Sequence, residues 1–487
     1  MRRLALPAAA VLVLLGGCSL APHYERPAMP EPPPAFKEAG DWKLAVPADA
    51  APRGAWWTVF GDGDLDALES QVSDSNQNLK AALARLEQAR AQTRAARSGW
   101  FPTLTANASA TRERTSLNVP TYVPGRASTG DLFTLGADLS YEIDLFGRVR
   151  NTVAGARYTE QATAGDTAAL DLSVHAELAT DYFTLRGLDV EQRLLDHTVA
   201  DYARALALTQ NLYQGGAVAI ADVQQAQAQL ETARTQAEDT RLRRAQTEHA
   251  IAVLVGKQAS VFSVPAAPAG KALPLPEVAP GLPSQLLERR PDVAAAERRV
   301  AAANANIGVA RAAFFPVFNL FASAGYQSTM SSNWLTAPSQ FWALGPQGVL
   351  TLFNGGLYRA QSAQAHAAYD EQVANYRGTV LTAYQDVEDN LVALRQLQLE
   401  SVSEAAAVTA NQGALEQANL RYKGGIVTYL EVVSTENAYL SAQLSAVDIE
   451  IRRAGATVLL IRALGGDWQQ PTEAAAATAA IHPEPAS

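Results

Sequence analysis

Residues Arg421–Ser434 read RYKGGIVTYLEVVS, a stretch with the marks of a reversal between two long helices. A long helical pattern runs into the glycine pair Gly424–Gly425 and resumes a few residues later with a carboxylate, Glu431. The chain does the same at Leu212–Gln225, LYQGGAVAIADVQQ, with Gly215 and Gly216 as the pair and Asp222 as the acid. Glycine pairs of this kind suit a turn between two helices, because a residue without Cβ takes positive φ at low cost.

The two stretches belong to a tandem duplication. Tyr213 pairs with Tyr422 at an offset of 209 (422 minus 213), which also pairs Asp222 with Glu431 and Gly256 with Gly465. A similar offset of 214 (315 minus 101) pairs WFPTL at Trp100–Leu104 with FFPVF at Phe314–Phe318. Each copy opens on a heptad pattern: Leu79, Ala82, Leu86, Ala89, Thr93 and Ala96, then Val293, Ala296, Val300, Ala303, Ile307 and Ala310. Spacings of three and four with alanine at the seam predict helices packed side by side. The aromatic-proline pairs Phe101–Pro102 and Phe315–Pro316 end them, since proline lacks a donor and restricts the residue before it.

Strand-like segments follow. From Phe133, residues Leu135, Ala137, Leu139, Tyr141, Ile143 and Leu145 alternate with Thr134, Gly136, Asp138, Ser140, Glu142 and Asp144. A strand on a soluble core and a strand of a lipid-facing barrel both give that pattern. The second copy predicts strands over Val317–Tyr326 and Trp342–Phe353. Four strands per chain cannot close a barrel of eight or more, and open edges cannot face lipid, so a spanning sheet requires several chains. Arg148–Tyr213, as one helix, would run on the order of 100 Å at about 1.5 Å per residue.

Composition narrows the function. The 487 residues carry a formal charge of −10 with scattered Lys and Arg, so no basic stripe is available for nucleic acid. The six histidines are isolated and there is one cysteine, giving no visible metal site; a phosphate loop and a nucleophile elbow are also missing from the sequence, which predicts a protein that is not an enzyme. Arg2 and Arg3, the apolar run Leu4–Leu15 and the small residues before Cys18 predict a secretory signal over residues 1–17; its removal would take the charge to −12. The apolar run is too short to span a bilayer. Leu15-Gly16-Gly17-Cys18 resembles the bacterial lipobox, in which Cys18 would bear a covalent lipid; an ordinary signal with an incidental cysteine is the other reading. Ser19 after it points, by the same resemblance, to the outer membrane. Residues 18–55 are proline-rich and expected to be extended, and residues 471–487 to be a disordered tail.

With these residues assembled, the mature chain resembles a TolC-type outer-membrane factor of the lipoprotein branch. The resemblance is carried by WWTVFGDGDLDAL at Trp56–Leu68, LLERRPDVAAAERRVAAANANIGVARAAFFP at Leu286–Pro316, LFNGG at Leu352–Gly356 and the two Tyr-x-Gly-Gly segments. It implies a mainly α protomer with a small β part, in two α/β repeats over residues 56–270 and 271–470. Three protomers would form a periplasmic helical barrel and a twelve-stranded outer-membrane β-barrel. It further implies a passive exit duct for drugs, small toxic molecules or metal ions, working with a periplasmic adaptor and an inner-membrane resistance-nodulation-division pump, without cofactor.

Carried over by position, Asp222 matches a carboxylate that bonds a tyrosine, here Tyr422, across the periplasmic tip. Glu431 matches the outer of two acidic constriction positions, and Ser434 stands at the inner one. Val427 and Ala221 replace the arginine and threonine of a second closing link, so closure would lean on Tyr422, Asp222 and apolar contacts near Leu430. A plainer account of both acids is that carboxylates favour the first turn of a helix. Two other functions fit part of the pattern: a lipid-anchored periplasmic coiled-coil adaptor, which leaves the strands unexplained, and an exit channel for type I protein secretion.

Overall fold

The structure is a computed structural model, described here for residues 19–28, 36–39, 54–114, 116–118, 129–268, 276 and 290–466. The expected signal, Cys18, most of the proline-rich segment and the tail at 471–487 lie outside the described residues. Two helices, α1 (Gly63–Ser75) and α2 (Gln77–Arg97), lead into strands β1 (Thr103–Arg114) and β2 (Thr129–Ile143). Helices α3 (Arg148–Gln214) and α4 (Ile220–Leu254) complete the first copy. The second consists of α5 (Pro291–Ala312), β3 (Val317–Ser328), β4 (Gln340–Val349), α6 (Leu357–Lys423) and α7 (Tyr429–Ala463).

The duplication is realised residue by residue. Adding 209 to the limits of α3 and α4 returns those of α6 and α7, and adding 214 to those of β1 returns β3. The heptad residues Leu79, Ala82, Leu86 and Ala89 on α2, and Val293, Ala296, Val300 and Ala303 on α5, are buried as their spacing requires. Both 67-residue helices lack proline, and each would be about 100 Å long at about 1.5 Å per residue. Helix α3 starts where Asp144 turns its carboxylate onto the N–H groups of Val149 and Arg150, at 3.1 and 2.8 Å, satisfying donors that a helix start leaves open.

The chain divides into two compact units, each drawing on both copies. One comprises residues 1–28, 85–164 and 295–377 and contains the sheet, ordered β1-β2-β3-β4 with every pair antiparallel. Its register sorts side chains by face. Leu104, Leu139, Ala322 and Leu344 lie in one row, as do Ala106, Ala137, Ala324 and Trp342; Thr105, Asp138 and Ser323 lie on the opposite face. The apolar rows end in the exposed side chains of Leu104, Trp342 and Leu344. Strand β4 stops at Val349, short of the expected Phe353. Leu352 and Phe353 are exposed instead, and the Asn354 side-chain oxygen accepts from the Gly356 N–H in a turn that starts α6.

The other unit comprises residues 29–84, 165–294 and 378–487. The Phe60 ring packs at 4.8 Å, tilted, on Phe183, and Leu65, Leu178, Leu185 and Ile251 are fully buried. Further along the same helices a cluster of Tyr202, Leu206, Ala226, Leu230, Ala233, Ala418, Tyr429, Val432 and Val433 joins α3, α4, α6 and α7. Three alanines, Ala226, Ala233 and Ala418, lie in it, so the helix axes can approach closely at those positions, as the alanine-rich sequence implies.

Candidate functional site

Both glycine turns are built on one set of hydrogen bonds. In the first, the Ala217 N–H donates to Leu212 O at 2.9 Å and the Gly216 N–H to Tyr213 O at 2.9 Å; in the second, Ile426 donates to Arg421 O and Gly425 to Tyr422 O, both at 2.9 Å. This is the Schellman pattern, which needs one left-handed residue, and Gly216 (φ 74°) and Gly425 (φ 69°) supply it. Gly215 and Gly424 have no positive φ, so within each pair only the second glycine is demanded by the backbone.

The returning helices begin with the two acids in their first turns. Asp222 accepts from the Ala219 N–H at 3.2 Å, half of a capping box, because Ala219 has no side-chain acceptor to complete it. Glu431 is engaged differently: its Oε1 lies 2.6 Å from Arg421 Nη1, in an ion pair that bridges the turn. Tyr422 makes no hydrogen bond to Asp222 among the described residues. The two are still linked: partial burial, then the charge of Asp222, raises the Tyr422 pKa above that of a free tyrosine. The Tyr422 ring packs at 5.6 Å on Tyr429, tying the turn to the apolar cluster beneath it. Leu430 is 63% exposed, and Ile426 and Ile220 are exposed beside their turns.

One group escaped the sequence reading. Glu436, the next acid along α7, faces the same cluster with Oε2 buried and without a hydrogen-bond partner. Burial, then the charge of Asp201, pushes its pKa up to about 7. No motif marks it; the signal was an acid at i+4 from a buried apolar residue, Val432.

Polar groups elsewhere in this unit serve packing. His175 Nδ1 is 2.6 Å from Glu69 Oε2 and Nε2 is 3.3 Å from Ser73 Oγ, while the ring stacks at 4.4 Å on Trp57. This superficially matches a serine-histidine-acid grouping. Burial alone would lower the His175 pKa, but hydrogen bonds to Asp171 and Glu69 outweigh it and raise it, so the pair favours a charged ring held by carboxylates over a free base. Ser73 also lies inside α1, where backbone N–H groups are spent on the helix. Arg186 and Arg244 likewise converge on Asp189 and hold the carbonyls of Pro265 and Val264, fastening the segment after α4.

Comparison with known proteins agrees with this architecture. The outer membrane efflux protein family matches over residues 68–257 and 282–466. Outer membrane protein OprJ of Pseudomonas aeruginosa is 33% identical over 479 residues, covering 96% of this chain and 98% of its own. The cation efflux system protein CusC of Escherichia coli O6:H1 is 30% identical over 464 residues, covering 94% and 98%. The crystal structure of the Campylobacter jejuni CmeC outer membrane channel superposes with a TM-score of 0.83 at 26% identity, covering 95% of this chain and 98% of that one. Helix pairs joined at Schellman turns, a four-stranded sheet apolar on one face and a match over most of both repeats lead to one conclusion: the chain belongs to the outer membrane efflux protein family.

Proposed function

We propose that the protein works as a homotrimeric exit duct of a tripartite efflux system, passively passing drugs, small toxic molecules or metal ions through the outer membrane. The observation that carries this reading is the sheet. Strands β1 and β4 are edges with unpaired backbone groups, yet the sheet has an apolar face with exposed tryptophan and leucine. In hydrocarbon each unpaired group is costly, so β1 of one copy must pair with β4 of the next until a barrel closes. Three copies give the twelve strands expected from the family resemblance. A coiled-coil adaptor has no use for such a sheet.

Energy would come from partners, a periplasmic adaptor and an inner-membrane pump, and the glycine turns would form the closing end of the duct, with Tyr422, Asp222, Leu430 and Glu431 around its axis. The lipid on Cys18 also fits. Ser19 donates to Asn151 at 3.0 Å, in the first turn of α3 just after β2, and Asn304 donates to Pro22 O at 2.9 Å. The chain next to Cys18 is thereby held where strand passes into helix, the level at which an anchor would meet the membrane surface.

Single-channel conductance in planar bilayers tests the proposal, with detergent-stable trimers on gels as the assembly control. Small resting currents that grow in Tyr422→Phe/Asp222→Ala support both duct and closing end. A pore unchanged by the substitutions removes the closing role, and no pore in either sample rejects the duct.

A further inference from the structure

We propose that Arg421 is a selectivity-determining residue of the closing end: by holding Glu431 in an ion pair within its own chain, it cancels a ring of negative charge. The inference rests on the proposed placement of Glu431 at the narrow end of a trimeric duct. Its own basis is the geometry of the second turn. Arg421 lies in the last turn of α6 and Glu431 in the first turn of α7, 2.6 Å apart through Nη1 and Oε1. Their side chains are 50% and 40% exposed, so the pair faces water and not the apolar cluster. The Schellman bonds at Gly425 and Ile426 fix the backbone between them, which limits the conformational entropy lost on pairing.

The first turn provides the contrast within the same chain. At the positions equivalent to Arg421 and Glu431 stand Leu212 and Asp222: the acid is kept and the cation is absent. Asp222 has no ion pair among the described residues. A charge whose counter-charge sits at contact distance presents passing ions with a dipole, whose field falls off faster than that of a bare carboxylate; free carboxylates act over a screening length of about 8 Å in physiological salt. Of the two acids at the turns, Asp222 alone is thus left without a counter-charge, and Lys423 beside the pair adds positive charge to the second turn.

The test is the reversal potential of the full-length protein in planar bilayers under a KCl gradient, for the unaltered chain, R421Q, R421K, E431Q and R421Q/E431Q. R421Q is expected to raise cation-over-anion permeability by about fivefold. R421K should stay close to the unaltered protein, E431Q should move toward anions, and the double variant should return near the starting value. A reversal potential unmoved by R421Q, or single variants that shift in the same direction, would overturn the role of Arg421 while leaving the duct intact. Failure of the unaltered protein to form any pore would overturn the duct itself. If R421Q fails to give a detergent-stable trimer, E431Q decides: an anion-directed shift supports the pairing and no shift refutes it.

Discussion

The turn at Gln214–Ala219 and the turn at Lys423–Thr428 have the same hydrogen bonds, the same left-handed glycine and the same helix limits at an offset of 209, yet they carry opposite charge. Over Leu212–Gln225 the charged residue is Asp222; over Arg421–Ser434 there are Arg421, Lys423 and Glu431. The packing differs too. Tyr429, first residue of α7, is 6% exposed, whereas its counterpart Ile220 on α4 is 48% exposed. Duplication has preserved what the backbone must do to reverse direction and released the side chains, so one turn is acidic and loosely seated while the other is basic and anchored. The difference locates stability in the second turn.

That contrast can be broken by substitution. Tyr429→Ala is expected to lower stability by about 3 kcal/mol through loss of buried aromatic area, and Ile220→Ala by less than about 1 kcal/mol; thermal dissociation of the trimer would show the difference, and equal losses would erase it. Gly216→Ala and Gly425→Ala test what the turns share. Each should cost about 1–2 kcal/mol because alanine is strained at positive φ, while Gly215→Ala and Gly424→Ala stay within about 0.5 kcal/mol in the same assay.

Glu436 sharpens the comparison through pH, since the equivalent residue of the first copy is the neutral Gln227. The Glu436 pKa is raised from 4.5 to about 7, by burial first and Asp201 second. Tyr202 and Tyr429 lie within its electrostatic reach, and Arg204 pairs with Asp201. A raised acid favours the folded packing when protonated, so that packing is undisturbed below about pH 4.5 and weakens as pH rises through about 7. Hydrogen exchange in α7 should accelerate beyond its intrinsic pH dependence over this window, by the equivalent of roughly 1 kcal/mol. Glu436→Gln should abolish that excess, and Gln227→Glu, whose side chain is exposed, should create none. The smallest effect concerns Arg421→Gln: removing a half-exposed ion pair should change stability by less than about 0.5 kcal/mol even where it changes selectivity, a separation that melting curves and reversal potentials on one preparation would expose.

Much of this was legible in the sequence. The repeat offset found from Tyr213 and Tyr422 anticipates the limits of four helices, because glycine at a Schellman turn and proline after an aromatic are local signals that act through the backbone. The alternation from Phe133 onward anticipates β2 for the same reason. The end of β4 was misread because Leu352 and Phe353 look like strand residues, and an apolar run alone does not distinguish a paired strand from an exposed turn. The Arg421–Glu431 pair is not legible in the sequence because its members are ten residues apart across a turn, outside the three- and four-residue spacings by which helical neighbours are recognised.

The duplication, the long helices, the positions of the turns and the two faces of the sheet are all readable from residue order, because they follow from periodicity and from glycine and proline geometry. Which charges are paired and which stay free emerges from the packing of the helices. Arg421 pairs with Glu431, Asp222 is left to a backbone N–H, and Glu436 turns a buried, unpartnered Oε2 inward within electrostatic reach of Tyr202 and Tyr429. These outcomes depend on distances of a few ångströms between helices, over which Coulomb and desolvation energies change steeply, and residue order does not encode those distances locally.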